Sequence, residues 1–150
     1  MPGRYYEDFE VGAMYEHAVR RTFTEADNVF FCALTHNDQP LHIDEEFGKA
    51  SIHGTRIVNS LFTLGLVVGI GVDDTTFGTT LGNLGFEEVA FPAPVRHGDT
   101  IHAETEVIAK RESKSRPGTG IVTMEHRGFN QRDELVCRAR RNALIVMRPA

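Results

Sequence analysis

The chain has 150 residues, a length that fits one domain able to bury a core without disulfides or metals. With 41% hydrophobic and 25% charged residues, the composition excludes a disordered or fibrous protein. The formal net charge of -5 argues against sequence-independent binding to nucleic acid, because that binding needs positive charge to displace counterions. We therefore predict one domain over residues 1–150 and no nucleic-acid partner.

The sequence also indicates where the protein works. The first residues, MPGRYYEDFEVG, carry charges and lack the apolar stretch of a secretory signal. The longest apolar run, residues 61–72, is interrupted by glycine and shorter than the roughly 20 residues of a membrane span. Cys32 and Cys137 match no metal-ligand spacing and are expected to be small core residues in a reducing compartment. These features favour a cytoplasmic protein without membrane contact.

The first half of the chain predicts one strand and several helices. Residues 14–23 form a plausible first strand. Residues 25–34 follow an N-cap residue and carry acidic side chains in the first turn, which favours a helix. Residues 35–40 are turn formers that end in a proline. Asp44 then caps a short helix over residues 44–50.

Residues 58–70, VNSLFTLGLVVGI, predict the central helix of the fold. Apolar side chains occur on every side of this helix, which is typical of a buried helix. Its two glycines cost about 1 kcal/mol each relative to alanine in a helix interior. We interpret them as places where another backbone approaches closely.

The second half changes to the alternating pattern of half-buried strands, over residues 79–91, 100–112, 120–129 and 134–147. Helices followed by strands predict an α+β protein with an antiparallel sheet. Such a sheet needs a cover for its apolar face, and the central helix is the only sufficiently apolar candidate. A curved sheet wrapped around one buried helix is the hot-dog fold. From that fold we expect a homodimer or a higher homo-oligomer.

The seven histidines fall into two groups. His17, His102 and His126 lie in strand patterns and are expected to have packing or surface roles. His97 lies in a turn and is expected to be solvated. The other three lie in the loops between the first helix and the central helix: His36, His42 and His53. They cluster there with three further polar residues, Asn37, Asp38 and Asp44. Polar groups gathered beside an apolar helix are typical of a reactive pocket.

His42 is the strongest candidate for chemistry in this cluster. It follows Pro40 and Leu41, which stiffen the preceding backbone, and histidine can accept and return a proton near neutral pH. The alternative is a loop histidine that bonds a backbone carbonyl. The spacing of the clustered histidines does not match a zinc motif, and no serine or cysteine lies in a nucleophile elbow. No metal is therefore predicted.

Residues 35–44, THNDQPLHID, resemble the motif of MaoC-like dehydratases and (R)-specific enoyl-CoA hydratases. In that family an Asp, a variable residue, Asn-Pro-Leu and the catalytic His precede a short helix. The resemblance extends through residues 56–58, 91–95 and 98–99 and covers about residues 5–147. It implies a hydratase or dehydratase that acts on an acyl-CoA thioester. Coenzyme A would then be part of the substrate, and no separate cofactor is expected.

The sequence departs from the family motif at two places. Asn37 stands where the family has its catalytic Asp, and Asp38 is one residue out of register. Asn59-Ser60 stands where the family has His-Gly at the start of the central helix. The blocks VNSLFTLGL, DTTFGTT, LGNLGF, HGDT, ETEV and KRESKSRPG resemble mesaconyl-CoA and itaconyl-CoA hydratases. That branch implies a short branched dicarboxylic substrate.

The resemblance assigns roles to residues of this chain. His42 is the general base, Asn37 orients the water, and backbone N–H groups around Asn59 and Ser60 hold the enolate oxygen. Asp38 and Asp44 are candidates to support the base. His36, His53 and Arg56 are candidates to bind the substrate carboxylate. The candidates to bind the coenzyme phosphates are Lys110, Arg111, Lys114 and Arg116. Asp44 also has the simpler role of a helix cap. The alternatives to a hydratase are a hot-dog acyl-CoA thioesterase and a non-catalytic acyl-CoA-binding subunit.

Overall fold

The computed structural model describes residues 3–150, so Met1 and Pro2 of the N-terminal segment lie outside the described residues. The helices are α1 (Glu25–Leu34), α2 (Pro40–Ile43), α3 (Glu45–Ala50), α4 (Ser60–Ile70) and α5 (Val72–Thr75). The strands are β1 (Met14–Glu16), β2 (Arg21–Thr22), β3 (Thr80–Ala90), β4 (Thr100–Glu112), β5 (Thr119–Phe129) and β6 (Leu135–Val146). All strand pairs are antiparallel, in the order β1-β4-β5-β6-β3 with β2 also on β4. Helix α4 packs on this sheet, which confirms the α+β prediction.

The prediction of one continuous first strand is wrong. Residues 14–23 form two short strands, β1 and β2, and both pair with β4. His17 lies in the interruption between them, and its ring is buried against Thr105 and Asp74. The four long strands of the second half begin and end within one residue of their predicted bounds. Burial alternates along most of β4 and β6, so the alternating sequence pattern is a reliable signal for these strands.

The central helix begins two residues later than predicted because Asn59 is its cap. The Asn59 side chain accepts the Leu61 N–H at 3.0 Å. The prediction that the central helix is buried on all sides is wrong within a single copy of the chain, because Leu61 is 61% exposed. At Gly65 and Gly69 an added Cβ would meet no atom within 4 Å, so these glycines do not mark a close approach inside the chain.

The core consists of two apolar clusters with a layer of polar side chains between them. The cluster near the start of β4 consists of Phe23, Val58, Val67, Ile70, Val95, Ile101, Ala103, Val136 and Cys137. The cluster toward the end of β4 consists of Phe9, Val107, Val122, Met124, Ala143 and Ile145. Between them lie the buried side chains of His17, Thr105, His126 and Arg141, which we call the polar layer. Both cysteines are free and buried, as expected for core residues.

The hydrogen bonds of the polar layer run in one direction. Arginine only donates, so Arg141 Nε donates to His126 Nε2 at 2.9 Å. His126 then donates from Nδ1 to the Thr105 hydroxyl at 2.9 Å, and this hydroxyl donates to His17 Nε2 at 2.7 Å. His17 Nδ1 finally donates to the Asp74 carboxylate at 2.9 Å. Burial, and secondarily the Arg141 charge, lower the pKa of His126 to about 3, so this ring is neutral.

The edge strand β3 exposes apolar side chains. It pairs with β6 on one side, and the other side has no strand among residues 3–150. Four large apolar residues of β3 are exposed, and we call them the apolar edge: Leu81, Leu84, Phe86 and Val89. Within the described part of the chain, every helix is too short or too polar to cross a membrane.

Candidate functional site

His42 lies in a single turn of helix that holds its ring in place. Pro40 occupies the first position of α2, where its missing N–H costs nothing, so the predicted turn continues as a helix here. The half-buried His42 ring has Nδ1 at 2.8 Å from the Ile57 carbonyl oxygen. A carbonyl only accepts, so Nδ1 carries the proton and Nε2 carries the lone pair. Within residues 3–150 Nε2 makes no hydrogen bond, so it is free to act as a base.

The N-terminus of α4 offers one free backbone donor. The Asn59 N–H is bonded to Asn28 Oδ1 at 2.9 Å, and the Leu61 N–H to the Asn59 side chain. The next two amides, of Phe62 and Thr63, bond the Asn59 carbonyl at 3.0 and 3.1 Å. The Ser60 N–H therefore remains without an acceptor in the described range. An unpaired N–H at the positive end of a helix binds a developing negative charge.

Asn28 connects these two features, although the sequence did not single it out as a candidate. Its side chain is fully buried and bonds both Asn59 and the Ile57 carbonyl that holds His42. The available signal was an asparagine four residues before Cys32, on the buried face of α1. His97 also bonds Asn28 and is half-buried, so its predicted solvent exposure is wrong.

Asn37 lies in the loop between α1 and α2. Its Oδ1 accepts the Gln39 N–H at 3.2 Å, which stabilises the turn before α2. Together with His36 and Asp38 it lines a cavity of about 370 Å³ whose wall does not include His42. The structure therefore brings together three predicted site residues in one pocket. It shows no hydrogen bond between Asn37 and His42 among the described residues.

Two predicted support residues have structural roles. The Asp44 side chain accepts the Glu46 and Phe47 N–H groups at 3.0 and 3.1 Å, which confirms it as the cap of α3. The buried Arg56 guanidinium pairs with Glu25 at 2.7 Å and with Glu45 at 2.6 Å. These hydrogen bonds raise the pKa of Arg56 further. Its charge is thus already compensated, so the structure does not support the predicted contact with a substrate carboxylate.

His53 and Ser60 line a second pocket beside the start of α4. Its volume is about 300 Å³, and its other walls are mostly apolar, with Phe91 and Val136 among them. The buried Thr63 hydroxyl lies on the same wall and has no partner within residues 3–150. An apolar pocket that meets a free helix N–H has the form of a small-molecule site.

The predicted phosphate-binding residues lie at the other end of the sheet. Lys110 and Arg111 are near the end of β4, and Lys114 and Arg116 lie in the turn that leads to β5. The site lies near the start of β4, about ten residues or roughly 30 Å away along the strand. Lys110 packs over the Tyr6 ring and bonds the Tyr6 carbonyl. These residues therefore lie too far from His42 of the same chain to contact a coenzyme bound there, unless that ligand is long and extended.

Within residues 3–150, no three His, Cys, Asp or Glu side chains are grouped in a way that could hold a metal ion. The groups described above at the site are an imidazole, a backbone donor and amide side chains. This set suits proton transfer to and from a bound molecule whose oxygen gains negative charge.

The chain is similar to known proteins along most of its length. A family model described as "MaoC like domain" matches residues 8–130. The chain is 34% identical over 134 residues to the mesaconyl-CoA hydratase of Cereibacter sphaeroides, a match that covers 89% of this chain and 38% of that protein. It is 30% identical over 129 residues to the (R)-specific enoyl-CoA hydratase of Aeromonas caviae, covering 83% of this chain and 87% of that protein. The chain thus spans about two fifths of the length of the mesaconyl-CoA hydratase.

A solved structure supports the fold. A conserved hypothetical protein of Mycobacterium tuberculosis with a double hot-dog fold matches with a TM-score of 0.88 and 21% identity, over 98% of this chain and 45% of that one. This likeness concerns the fold alone and confirms the hot-dog prediction. With its family match over most of the described residues, the chain belongs to the MaoC-like domain family.

Proposed function

We propose that this chain is a hydro-lyase that adds water to the double bond of an enoyl-CoA thioester, or removes it, with His42 as the base. The observation that carries the proposal is the free Nε2 of His42, on a ring whose Nδ1 is fixed by the Ile57 carbonyl. The similarity to two enoyl-CoA-type hydratases supports the same reaction class.

The proposed reaction needs only groups of this chain and of the substrate. His42 Nε2 takes a proton from water while the water oxygen bonds the β-carbon. The electron pair of the double bond moves toward the thioester carbonyl, whose oxygen becomes negative and is stabilised by the Ser60 N–H. The imidazolium then returns the proton to the α-carbon. Coenzyme A takes part as a portion of the substrate.

Asn37 has a different role from the aspartate expected in the family. Its Oδ1 is engaged by the Gln39 N–H, while its Nδ2 has no acceptor within residues 3–150. That amide can donate to the attacking water and orient it, although it cannot accept charge from the imidazolium. The Ile57 carbonyl is then the group that stabilises the protonated ring.

We propose a short branched dicarboxylic enoyl thioester, of the mesaconyl or itaconyl type, as the substrate. The support is the similarity to the mesaconyl-CoA hydratase of Cereibacter sphaeroides. Since Arg56 is paired twice, His53 in the 300 Å³ pocket is the better candidate for the free carboxylate. His36 remains the alternative from the neighbouring cavity.

The test is an assay of wild-type protein and His42→Ala against a panel of enoyl-CoA thioesters that includes mesaconyl-CoA, itaconyl-CoA and crotonyl-CoA. We expect loss of the enoyl absorbance without release of free thiol, and expect it to depend on His42. Thiol release would show a thioesterase. Coenzyme A binding without any turnover would show a binding subunit.

We further propose a homodimer in which two copies cover the apolar edge and the outer face of α4. Two of the most exposed apolar side chains of these surfaces are Leu61 and Leu84. A patch of this kind is unusual on a monomer. Sedimentation should give a dimer for the wild type and a monomer for Leu84→Glu, whereas a monomeric wild type would contradict the proposal. In such a dimer the basic residues 110–116 could serve the site of the other copy.

A further inference from the structure

The side chain of Asn28 lies between the base and the oxygen-binding donor. Its Oδ1 accepts the Asn59 N–H at 2.9 Å, and Asn59 caps the helix that presents the Ser60 N–H. Its Nδ2 donates at 3.1 Å to the Ile57 carbonyl, the same oxygen that accepts from His42 Nδ1 at 2.8 Å. One buried amide is therefore bonded to the supports of both groups.

His97 completes the surroundings of this amide. Asn28 Nδ2 lies 3.0 Å from His97 Nε2 and 3.4 Å from the His42 carbonyl. An amide nitrogen has two hydrogens, so the two shorter contacts, to Ile57 and His97, are the effective hydrogen bonds. His97 must be neutral to accept one of them. Burial, followed by the charge of Arg56, lowers the pKa of His97 and favours that neutral form.

The base and the donor belong to different elements, α2 and α4, which are not continuous in sequence. We propose that Asn28 is a positioning residue that fixes the His42 imidazole relative to the Ser60 N–H, and that neutral His97 holds Asn28 in place. This inference rests on the proposed hydratase function. Misplacing a catalytic group by about 1 Å can cost on the order of 100-fold in rate.

The first experiment compares Asn28→Ala with a matched control, Asn130→Ala. Asn130 is also fully buried, and its side chain bonds Arg132 and Glu134 in the turn between β5 and β6, without a hydrogen bond to Asn28, His42 or His97. We expect Asn28→Ala to lower kcat about 10- to 100-fold with KM changed less than about threefold. Both variants should lose thermal stability, and Asn130→Ala should keep its kcat. An unchanged kcat in folded Asn28→Ala would overturn the proposal.

A second pair of variants tests His97 in case Asn28→Ala does not fold. His97→Gln places an amide oxygen near the position of the Nε2 acceptor, and His97→Leu removes the acceptor. We expect kcat close to wild type in His97→Gln and several-fold lower in His97→Leu. The charged groups around this position are the same in both variants: Arg56, Glu25, Glu45 and His42. Equal rates in the two variants would contradict the role of His97.

The pH profile of kcat gives a readout that loss of stability alone would not move. Protonated His97 cannot accept from Asn28, so part of the acid-side decline in wild type should come from His97. His97→Gln should remove that part and leave the rest of the decline. Identical acid limbs in both proteins would count against the proposed coupling.

Nitrogen NMR of the His42 ring separates this inference from the proposed function. We expect wild-type His42 to show the Nδ1–H tautomer and Asn28→Ala to show a mixture of tautomers. If the wild type hydrates no enoyl-CoA but the tautomer still depends on Asn28, the function fails and the positioning stands. If hydration occurs and neither tautomer nor kcat changes in Asn28→Ala, the positioning fails.

Discussion

Two histidine networks of the molecule, around His42 and around His126, differ in which ring nitrogens they leave unbonded. His42 is half-buried and uses one ring nitrogen, Nδ1, to bond the Ile57 carbonyl. His126 is fully buried and uses both ring nitrogens, to Thr105 and Arg141. Both rings are held in a defined tautomer, but only His42 keeps a lone pair available. A hydrogen-bonded histidine is therefore a candidate base only when its second nitrogen remains unbonded.

The two rings also differ in how deeply they are buried. Burial lowers the pKa of His126 to about 3, so it stays neutral at physiological pH, and the polar layer serves structure. The half-buried His42 ring bonds the Ile57 carbonyl through Nδ1 and leaves Nε2 unbonded within residues 3–150. Substitutions in the two networks should accordingly separate activity from stability.

The largest effect is expected from His42→Ala. Removing the base should lower kcat by about 10²- to 10⁴-fold. Its effect on the free energy of unfolding should stay below about 1 kcal/mol, since the half-buried ring makes one hydrogen bond. Steady-state kinetics and urea unfolding of the same preparation measure both quantities. Near-normal turnover would remove His42 from the active site.

His126→Leu should show the opposite behaviour. It leaves the buried Arg141 guanidinium without its acceptor, which should cost about 3 to 5 kcal/mol of unfolding free energy. The kcat of the folded fraction should stay within about twofold of wild type. The double variant His126→Leu/Arg141→Met should lose less than the sum of the two single variants, because no unpaired charge remains. A purely additive result would show that the two side chains act independently.

Acid should destabilise the protein through His126. Its folded pKa of about 3 lies below the ordinary value of 6.5, so the unfolded chain binds more protons between these two values. Stability from this residue is complete above about pH 6.5 and is lost as the pH falls toward 3, with a slope of up to about 1.4 kcal/mol per pH unit. Unfolding free energies of wild type and a folded His126 variant across this window test the prediction. The variant should have the flatter curve.

Asn37→Asp should have the smallest effect and the most informative one. The polar layer ends in a carboxylate, that of Asp74, whereas the His42 network lacks one. Aspartate can still accept the Gln39 N–H, so the fold should be retained. We expect a several-fold gain on crotonyl-type substrates and a loss on branched ones, about 1 kcal/mol in each barrier. Losses on both classes would show that the asparagine does not tune specificity.

Much of the fold could be predicted from local patterns. The alternation of residues 100–112 and 135–146 identifies half-buried strands, and the caps Thr24 and Asp44 mark two helix starts. The exposed face of α4 could not be predicted, because an apolar residue gives the same sequence signal whether its own chain or another molecule covers it. The break at His17 depends on partners 57 and 88 residues away.

The site was only partly predictable for the same reason. The motif around Pro40 and His42 led to the proposed base, and the start of α4 led to the proposed donor. Asn28 and His97 were missed because their contact joins residues 69 apart in sequence. The pairing of Arg56 could not be predicted because its two carboxylate partners lie on separate helices, α1 and α3. Local sequence identifies a reactive side chain, whereas its supports depend on tertiary contacts.

The polar layer also bears on how the strands align with one another during folding. If β5 slipped by two residues against β4, the same side chains would still face the core, so hydrophobic alternation alone would not oppose the error. In the native register Thr105 lies opposite His126. The slip would break that bond and leave buried donors and acceptors unpaired, at about 1 to 3 kcal/mol each. We therefore expect a few buried polar residues to select one alignment among several that apolar packing would accept.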